Sequence, residues 1–304
     1  IAREMDDGIV TDRAAKKLTV NALFERYIES KKLADSTRSN YIATWNNRVR
    51  DEIGGMKVVQ VRPSHIRLFY SRLTKDGYSH STIKLIHNLL YPSFEMAVDD
   101  DIIRKNPAKD ALGDNGEPAK EKMALTPSHQ NRLLSFVERS SVYNMYLPML
   151  QIMIGTGCRC GELIGLTWAD VDMEKKEVSI SCQLIYKNYG DGYKFHVSTP
   201  KTDAVIRKIP MSETVYKAFT AQKRQNFLQR IQRNVEIEGR TDFIFMSKNG
   251  RPLMPSAVKN VLYNIVAAYN KQETEQAKKE KREAECMPSI SAHTLRHTGC
   301  TRMA

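Results

Sequence analysis

Hydrophobic positions along the first third of the chain recur at helical spacing. From Thr19 to Lys31, Leu23, Phe24, Tyr27 and Ile28 form one apolar face and predict a helix. A second helix is predicted over Ser36 to Arg50, with Asp35 or Ser36 as N-cap and Tyr41, Ile42, Trp45 and Val49 as its inward stripe. Gly54 and Gly55 close that region. Pro63 suits the first turn of a third helix, which carries Ile66, Phe69 and Leu73 and ends at Gly77. Ser79 to Val98 reads as a fourth, with Ile83, Ile86 and Leu90 inward and Pro92 as an expected kink. Residues 18–112 therefore read as a small all-helical domain, preceded by a polar linker at 1–17.

The periodicity stops at 113–122, a polar run with two glycines and a proline, so 113–125 is the predicted interdomain linker. A second domain, 126–304, opens on Thr126-Pro127, a cap followed by a first-turn proline. Helices are predicted at 127–139 and 144–154, the latter holding the apolar segment Tyr146 to Ile154. From Glu177 to Tyr186 the period changes to two, with Val178, Ile180, Cys182, Leu184 and Tyr186 on one side of a half-buried strand. Gly190-Asp191-Gly192 reads as a turn. Strands at Lys194 to Thr199 and Val205 to Ile209 flank Pro200-Lys201-Thr202-Asp203. A long helix over Glu213 to Gln232, a short strand at 243–246, a helix at 256–270 and a charged, solvated helix at 273–285 follow. His293 opens a last helix. The fold class expected is mainly α with a small antiparallel β-sheet, in two domains.

Composition adds a partner. The 304 residues, 41% hydrophobic, suffice for two ordinary cores. No apolar run reaches membrane-spanning length, and the N-terminus is not a signal peptide. Without an initiator methionine, the chain is expected to begin inside a longer protein. The net charge of +12 and pI near 9.4 point to a polyanion, nucleic acid before others, with solubility as the plainer alternative. Residues 1–112 carry 19 Lys and Arg against 15 Asp and Glu, and 113–304 carry 28 against 20, so both domains are basic. Five cysteines without a C-x-x-C pair suit a reducing cytoplasm and argue against a structural zinc site.

One stretch concentrates the chemistry: Thr156-Gly157-Cys158-Arg159-Cys160-Gly161-Glu162-Leu163. Gly155 or Gly157 can end the preceding helix, and a new helix beginning near Arg159 places a guanidinium at a helix start with Glu162 one turn on. Lys201 lies in a turn between strands, and His293 and Arg296 share a helix face. Two arginines, a lysine and a histidine without an acidic ligand cluster make a cationic pocket suited to a phosphodiester. Arginine grips two non-bridging oxygens at once, and lysine or histidine can protonate a leaving oxygen. Each has a plainer reading: an ordinary helix ion pair, a solvated turn lysine, a chance His-x-x-Arg.

These motifs resemble those of the tyrosine recombinases, the phage-lambda integrase family. Thr156 to Leu163 resembles the first arginine box, Thr199-Pro200-Lys201-Thr202 with Arg207-Lys208-Ile209-Pro210 resembles the β-hairpin lysine region, and His293 to Thr298 resembles the H-x-x-R box. The helical domain is similar to the family's core-binding domain, and 126–304 to its α+β catalytic domain, together a two-domain DNA clamp. The wording from Arg296 to Ala304 and the extended region 186–196 look most like integrases of conjugative transposons.

The resemblance implies that Arg159 and Arg296 bind the scissile phosphate, Lys201 is the general acid for the 5′-hydroxyl, His293 assists proton transfer and Glu162 orients Arg159. It implies cleavage through a tyrosine to a 3′-phosphotyrosyl link and a Holliday junction, without metal, ATP or other cofactor. Partners implied are double-stranded DNA at specific sites and further copies of the chain, a dimer on one site and a tetramer in synapsis. There is room for excisionase or DNA-bending accessory proteins, and none for a membrane. The family's nucleophile lies some tens of residues beyond H-x-x-R, yet no tyrosine follows Tyr269, so no nucleophile is assigned. A chain ending at Ala304 is expected to bind DNA without cutting it.

For DNA contacts, the positions opposite the apolar stripes are Asn40, Asn47 and Arg50 on the second helix, and Ser81, Lys84 and Asn88 on the fourth. The rival functions are a sequence-specific DNA-binding regulator of the same fold and a type IB topoisomerase-like nicking enzyme.

Overall fold

The structure, a computed structural model, describes residues 16–118, 124–190, 192–198, 206–229 and 235–303. The chain divides into two compact units, 1–121 and 122–304.

Among the described residues, the first unit has four longer helices: α1 (Val20–Ser30), α2 (Asp35–Arg48), α3 (Pro63–Lys75) and α4 (His80–Asp99). Thr19 caps α1 through its hydroxyl, which accepts from Ala22 N at 3.2 Å. Around this core, Leu23, Phe24, Ile66, Phe69, Ile83, Ile86 and Leu90 are buried as their spacing requires. Phe24 stacks on Trp45 at 3.9 Å between ring centroids, and Trp45 Nε1 donates to Asn21 Oδ1 at 2.8 Å.

That stack sets the rotation of α2 and corrects its predicted stripe. Ile42 is 39% exposed, and Thr44 is buried beside Trp45 and Val49 instead. At about 100° per residue, centring the buried arc on Trp45 and Tyr41 carries Ile42 over the rim. The cap also moves: Ala34 is the N-cap, and Asp35 enters the first turn, where its charge favours the helix dipole. Arg50 lies beyond the end of α2. Pro92 is accommodated within the single 20-residue helix α4. The segment predicted as the start of a linker is docked on this unit. His80 N donates to Glu117 O at 2.8 Å, Gly116 N donates to Thr74 Oγ1 at 2.9 Å, and the His80 ring meets Asn115 O at 2.7 Å.

The second unit contains α5 (Pro127–Arg139), α6 (Leu147–Thr156), α7 (Cys160–Gly165), α8 (Glu213–Leu228), α9 (Pro255–Glu280) and α10 (Ala292–Met303). Among the described residues it also holds five strands: β1 (Val171–Asp172), β2 (Glu177–Ile180), β3 (Gln183–Asn188), β4 (Tyr193–Ser198) and β5 (Arg207–Pro210). The nearly all-apolar α6 packs against α8 and α10, and its Leu150, Ile152 and Met153 join Leu163, Phe219, Phe243, Ile265 and Leu295 in the core.

Several boundaries differ from the sequence pattern. The single strand expected over Glu177 to Tyr186 is two, β2 and β3, in separate sheets. One sheet has the order β1-β2-β5, all antiparallel, with Val178 opposite Ile209; the other is the β3-β4 hairpin, with Tyr186 opposite Phe195. Residues 243–246 form isolated bridges, Phe243 to Thr167 and Met246 to Pro252, rather than a strand. The helices expected at 256–270 and 273–285 are one helix, α9, because no breaker separates them. It stops at Lys281, in the left-handed conformation at φ +52, and Ala277 is buried rather than solvated. The long helix predicted to Gln232 has its described end at Leu228.

Candidate phosphodiester site

The site begins where α6 ends. Gly157 takes φ +58, ψ 23, the left-handed geometry that costs glycine little, and its N–H closes the helix on Met153 O at 3.1 Å. Gly155, the other candidate terminator, stays helical; a Cβ there would come within 2.2 Å of Val215 Cγ2 on α8. Two residues after the Gly157 turn, Arg159 is extended and forms the N-cap of α7. Glu162, at the third helical position, reaches back so that its Oε2 accepts from Arg159 N at 2.8 Å, while its Oε1 accepts from Arg159 Nη1 at 2.8 Å. Arg159 and Glu162 are thus paired at the start of α7.

Glu162 serves more than Arg159. Arg207, on the first residue of β5, donates through Nη2 to Oε2 at 2.7 Å and through Nη1 to Oε1 at 3.3 Å. Arg296 Nη1 stands 3.8 Å from Oε2 and donates to the Gly157 carbonyl at 2.6 Å. The carboxylate side chain is 5% exposed, whereas Arg159 is 50%, Arg207 29% and Arg296 22% exposed. Burial alone would raise the Glu162 pKa; hydrogen bonds from Arg207 and from the backbone and side chain of Arg159 outweigh it and bring it down to about 2. Glu162 is therefore ionised at neutral pH, and three guanidinium groups against one carboxylate leave a local surplus of positive charge. The flanking thiols do not offset it: burial pushes Cys158 up to about 12 and Cys160 up to about 11, so both stay neutral.

Helix α10 supplies the other side of the site. Ser291 and Thr294 exchange backbone-to-hydroxyl hydrogen bonds of 3.1 Å each at its start. The Thr298 hydroxyl donates to Thr294 O and accepts from Leu125 N, both at 2.9 Å, pinning the helix to the first residues of this unit. Gly299 lets α10 approach α6 closely, since a Cβ there would lie 2.1 Å from Ile154 O. Arg296 faces the Gly157 turn, and His293 is exposed one turn earlier. Its Nε2 meets His297 Nε2 at 3.0 Å, with the rings edge to face.

The structure thus brings Arg159, Glu162 and Arg296 together and sets His293 on the same helix as Arg296. Lys201 and its neighbours at 199–205 lie outside the described residues. The strands on either side, β4 and β5, pair with β3 and β2 respectively. Sequence reasoning gave no role to Arg207 or His297. For Arg207 the signal was present: it shares the inward side of β5 with Ile209, and a cation on that side needs an anion. For His297 it was the i, i+4 spacing from His293. Among the described residues, no group of three or more His, Cys, Asp and Glu is placed to hold a metal ion, and no helix is long and apolar enough to cross a membrane.

In the first unit, Asn40, Asn47, Arg50, Ser81, Lys84 and Asn88 are all exposed. Arg50 is engaged within the chain, donating to Asn46 Oδ1 at 2.9 Å and to Glu25 Oε1 at 3.5 Å.

Known proteins resemble this chain in sequence and fold. Residues 123–304 match the phage integrase family. The transposase from transposon Tn916 of Enterococcus faecalis is 30% identical over 309 residues, covering 100% of this chain and 71% of that protein. The Tn1549 transposon integrase, solved in complex with transposon right end DNA, superposes with a TM-score of 0.81 at 30% identity, covering 94% of this chain and 86% of that one. A lambda integrase dimer bound to a COC' core site has the same fold, with a TM-score of 0.63 at 16% identity over 97% of this chain and 75% of that one. The chain belongs to the phage integrase family of tyrosine recombinases, DNA strand-transferring enzymes, and within it to the transposon integrases.

Proposed function

We propose that the second unit holds the scissile phosphodiester of a specific DNA site between Arg159 and Arg296 for transfer to a tyrosine, as an integrase that cuts and rejoins transposon ends. The observation that carries this reading is the sharing of buried Glu162 by the guanidinium groups, which fixes them before any substrate arrives. Each arginine can then meet the non-bridging oxygens without first paying the entropy of ordering its own side chain. His293 moves a proton at the reacting oxygens, and Lys201 is assigned the proton for the departing 5′-hydroxyl on its motif alone. On the first unit, Asn40, Asn47, Ser81, Lys84 and Asn88 are the assigned DNA contacts, with Arg50 joining them once released from Glu25. The Tn1549 integrase has been solved with circular intermediate DNA and a lambda integrase tetramer on a Holliday junction. The same partners, double-stranded DNA and further copies of itself, are proposed for this chain, in the cytoplasm.

The test is a nicked suicide duplex carrying the transposon end, incubated with the full-length protein. A covalent protein–DNA adduct is expected. Arg159→Lys should retain DNA affinity but lose about 100-fold or more in cleavage, since an ammonium cannot form the planar fork. Absence of an adduct from the unmodified protein would sink the reading.

A further inference from the structure

Glu162 accepts four N–H groups: the Arg159 backbone and Arg207 Nη2 on Oε2, Arg159 Nη1 and Arg207 Nη1 on Oε1. A carboxylate has about four lone-pair sites, so its capacity is filled. The division is unequal. Arg207 takes the two-pronged geometry that arginine and carboxylate prefer, while Arg159 gives the carboxylate only one of the roughly five N–H groups on its guanidinium. We infer that Arg207 is a positioning residue for strand cleavage: by occupying both oxygens of Glu162 from β5, it keeps Arg159 from closing onto its own carboxylate and leaves the Arg159 fork to the phosphate.

The backbone behind Arg207 suits that task. It pairs opposite Ile180 in the β2-β5 ladder, so its Cα sits on a hydrogen-bonded sheet rather than a loop. Arg159 and Glu162 lie on one helical turn, three residues apart, and are already joined by one side-chain hydrogen bond of 2.8 Å. Arg207 holds the remaining lone pairs, one on each oxygen. Removing Arg207 opens those sites, and the shortest path to refilling them is a second hydrogen bond from Arg159, drawn away from the substrate.

The inference rests on the proposed function, and the experiment separates the two. In the full-length protein, Arg207→Ala should slow single-turnover cleavage of the suicide duplex by about 10- to 100-fold, the range for groups that orient a primary ligand. DNA affinity should change by less than about threefold. Arg207→Lys, which keeps a charge beside Glu162 and protects folding, should still be slowed because one ammonium cannot cover both oxygens. The decisive arm is the double variant. In a Glu162→Gln background there is no carboxylate to capture Arg159, so adding Arg207→Ala should cost less than about threefold more, whereas a merely structural arginine would multiply its full effect. Cleavage by Arg207→Ala within about twofold of the unmodified protein, or independent multiplication in the double variant, would overturn the inference alone. No adduct from the unmodified protein would overturn the functional reading and this inference with it.

Discussion

Replacing Glu162 with glutamine tests whether one carboxylate organises the site. The side chain is 5% exposed and accepts hydrogen bonds from Arg159 and Arg207, with Arg296 at 3.8 Å. Its pKa falls from an ordinary 4.5 to about 2 on folding. At ~1.4 kcal/mol per pH unit, that drop corresponds to at most ~3.5 kcal/mol of native stability. Solvent around the half-exposed Arg159 screens part of it, and an expected value is about 1–3 kcal/mol. Because the folded pKa is the lower one, this stability is fully present above about pH 5 and is lost as pH falls toward 2. Glutamine does not titrate in that window. Urea unfolding, followed by Trp168 fluorescence in a Trp45→Phe background, should therefore show Glu162→Gln destabilised at pH 7, with more than half of the gap closed by pH 3. Trp168 lies edge-on to Phe219 and reports the second unit. A gap of equal size at pH 3 and pH 7, or none at pH 7, would refute the account of Glu162.

Substitutions at three positions of α10 follow. Gly299→Ala would force a Cβ against Ile154 O, 2.1 Å away, so a loss of about 1–3 kcal/mol in melting experiments is expected. Cleavage by this variant should fall about 100-fold as Arg296 and His293 shift. Thr298→Val leaves Leu125 N–H buried without its acceptor and should cost about 1–3 kcal/mol in thermal unfolding, with Thr298→Ser close to wild type. His297→Ala removes the ring 3.0 Å from His293 and should slow cleavage about 10-fold at unchanged DNA affinity; wild-type rates would show that His293 needs no such support.

What could be read in the sequence was what is local. Thr126 as a cap, the inward faces of α1, α3 and α4, and the Arg159–Glu162 pair all depend on residues within one turn of each other. Ile42 was misplaced because the rotation of α2 is set by Trp45 meeting Phe24 on another helix. The break between β2 and β3 was invisible because burial goes on alternating through Ser181 and Cys182 while the hydrogen-bonding partner changes. In α9 the shift from apolar to charged residues looked like a boundary, yet alanine, glutamate, lysine and glutamine all favour helix and nothing stopped it. Arg207 reaches Glu162 from 45 residues away, a contact that only the sheet defines.

The break at Ser181 and Cys182 also separates what can change length from what cannot. Strand β2 is locked between β1 and β5, with Arg207 at the end of that ladder. Beyond the break, β3 rests its base on α7 and, among the described residues, pairs with β4 alone. Residues inserted or deleted in matched pairs between Asn188 and Tyr193 would lengthen or shorten the hairpin while leaving Val178 opposite Ile209. The hairpin is therefore where relatives of this fold can diverge in size without disturbing the register that places Arg207 on Glu162.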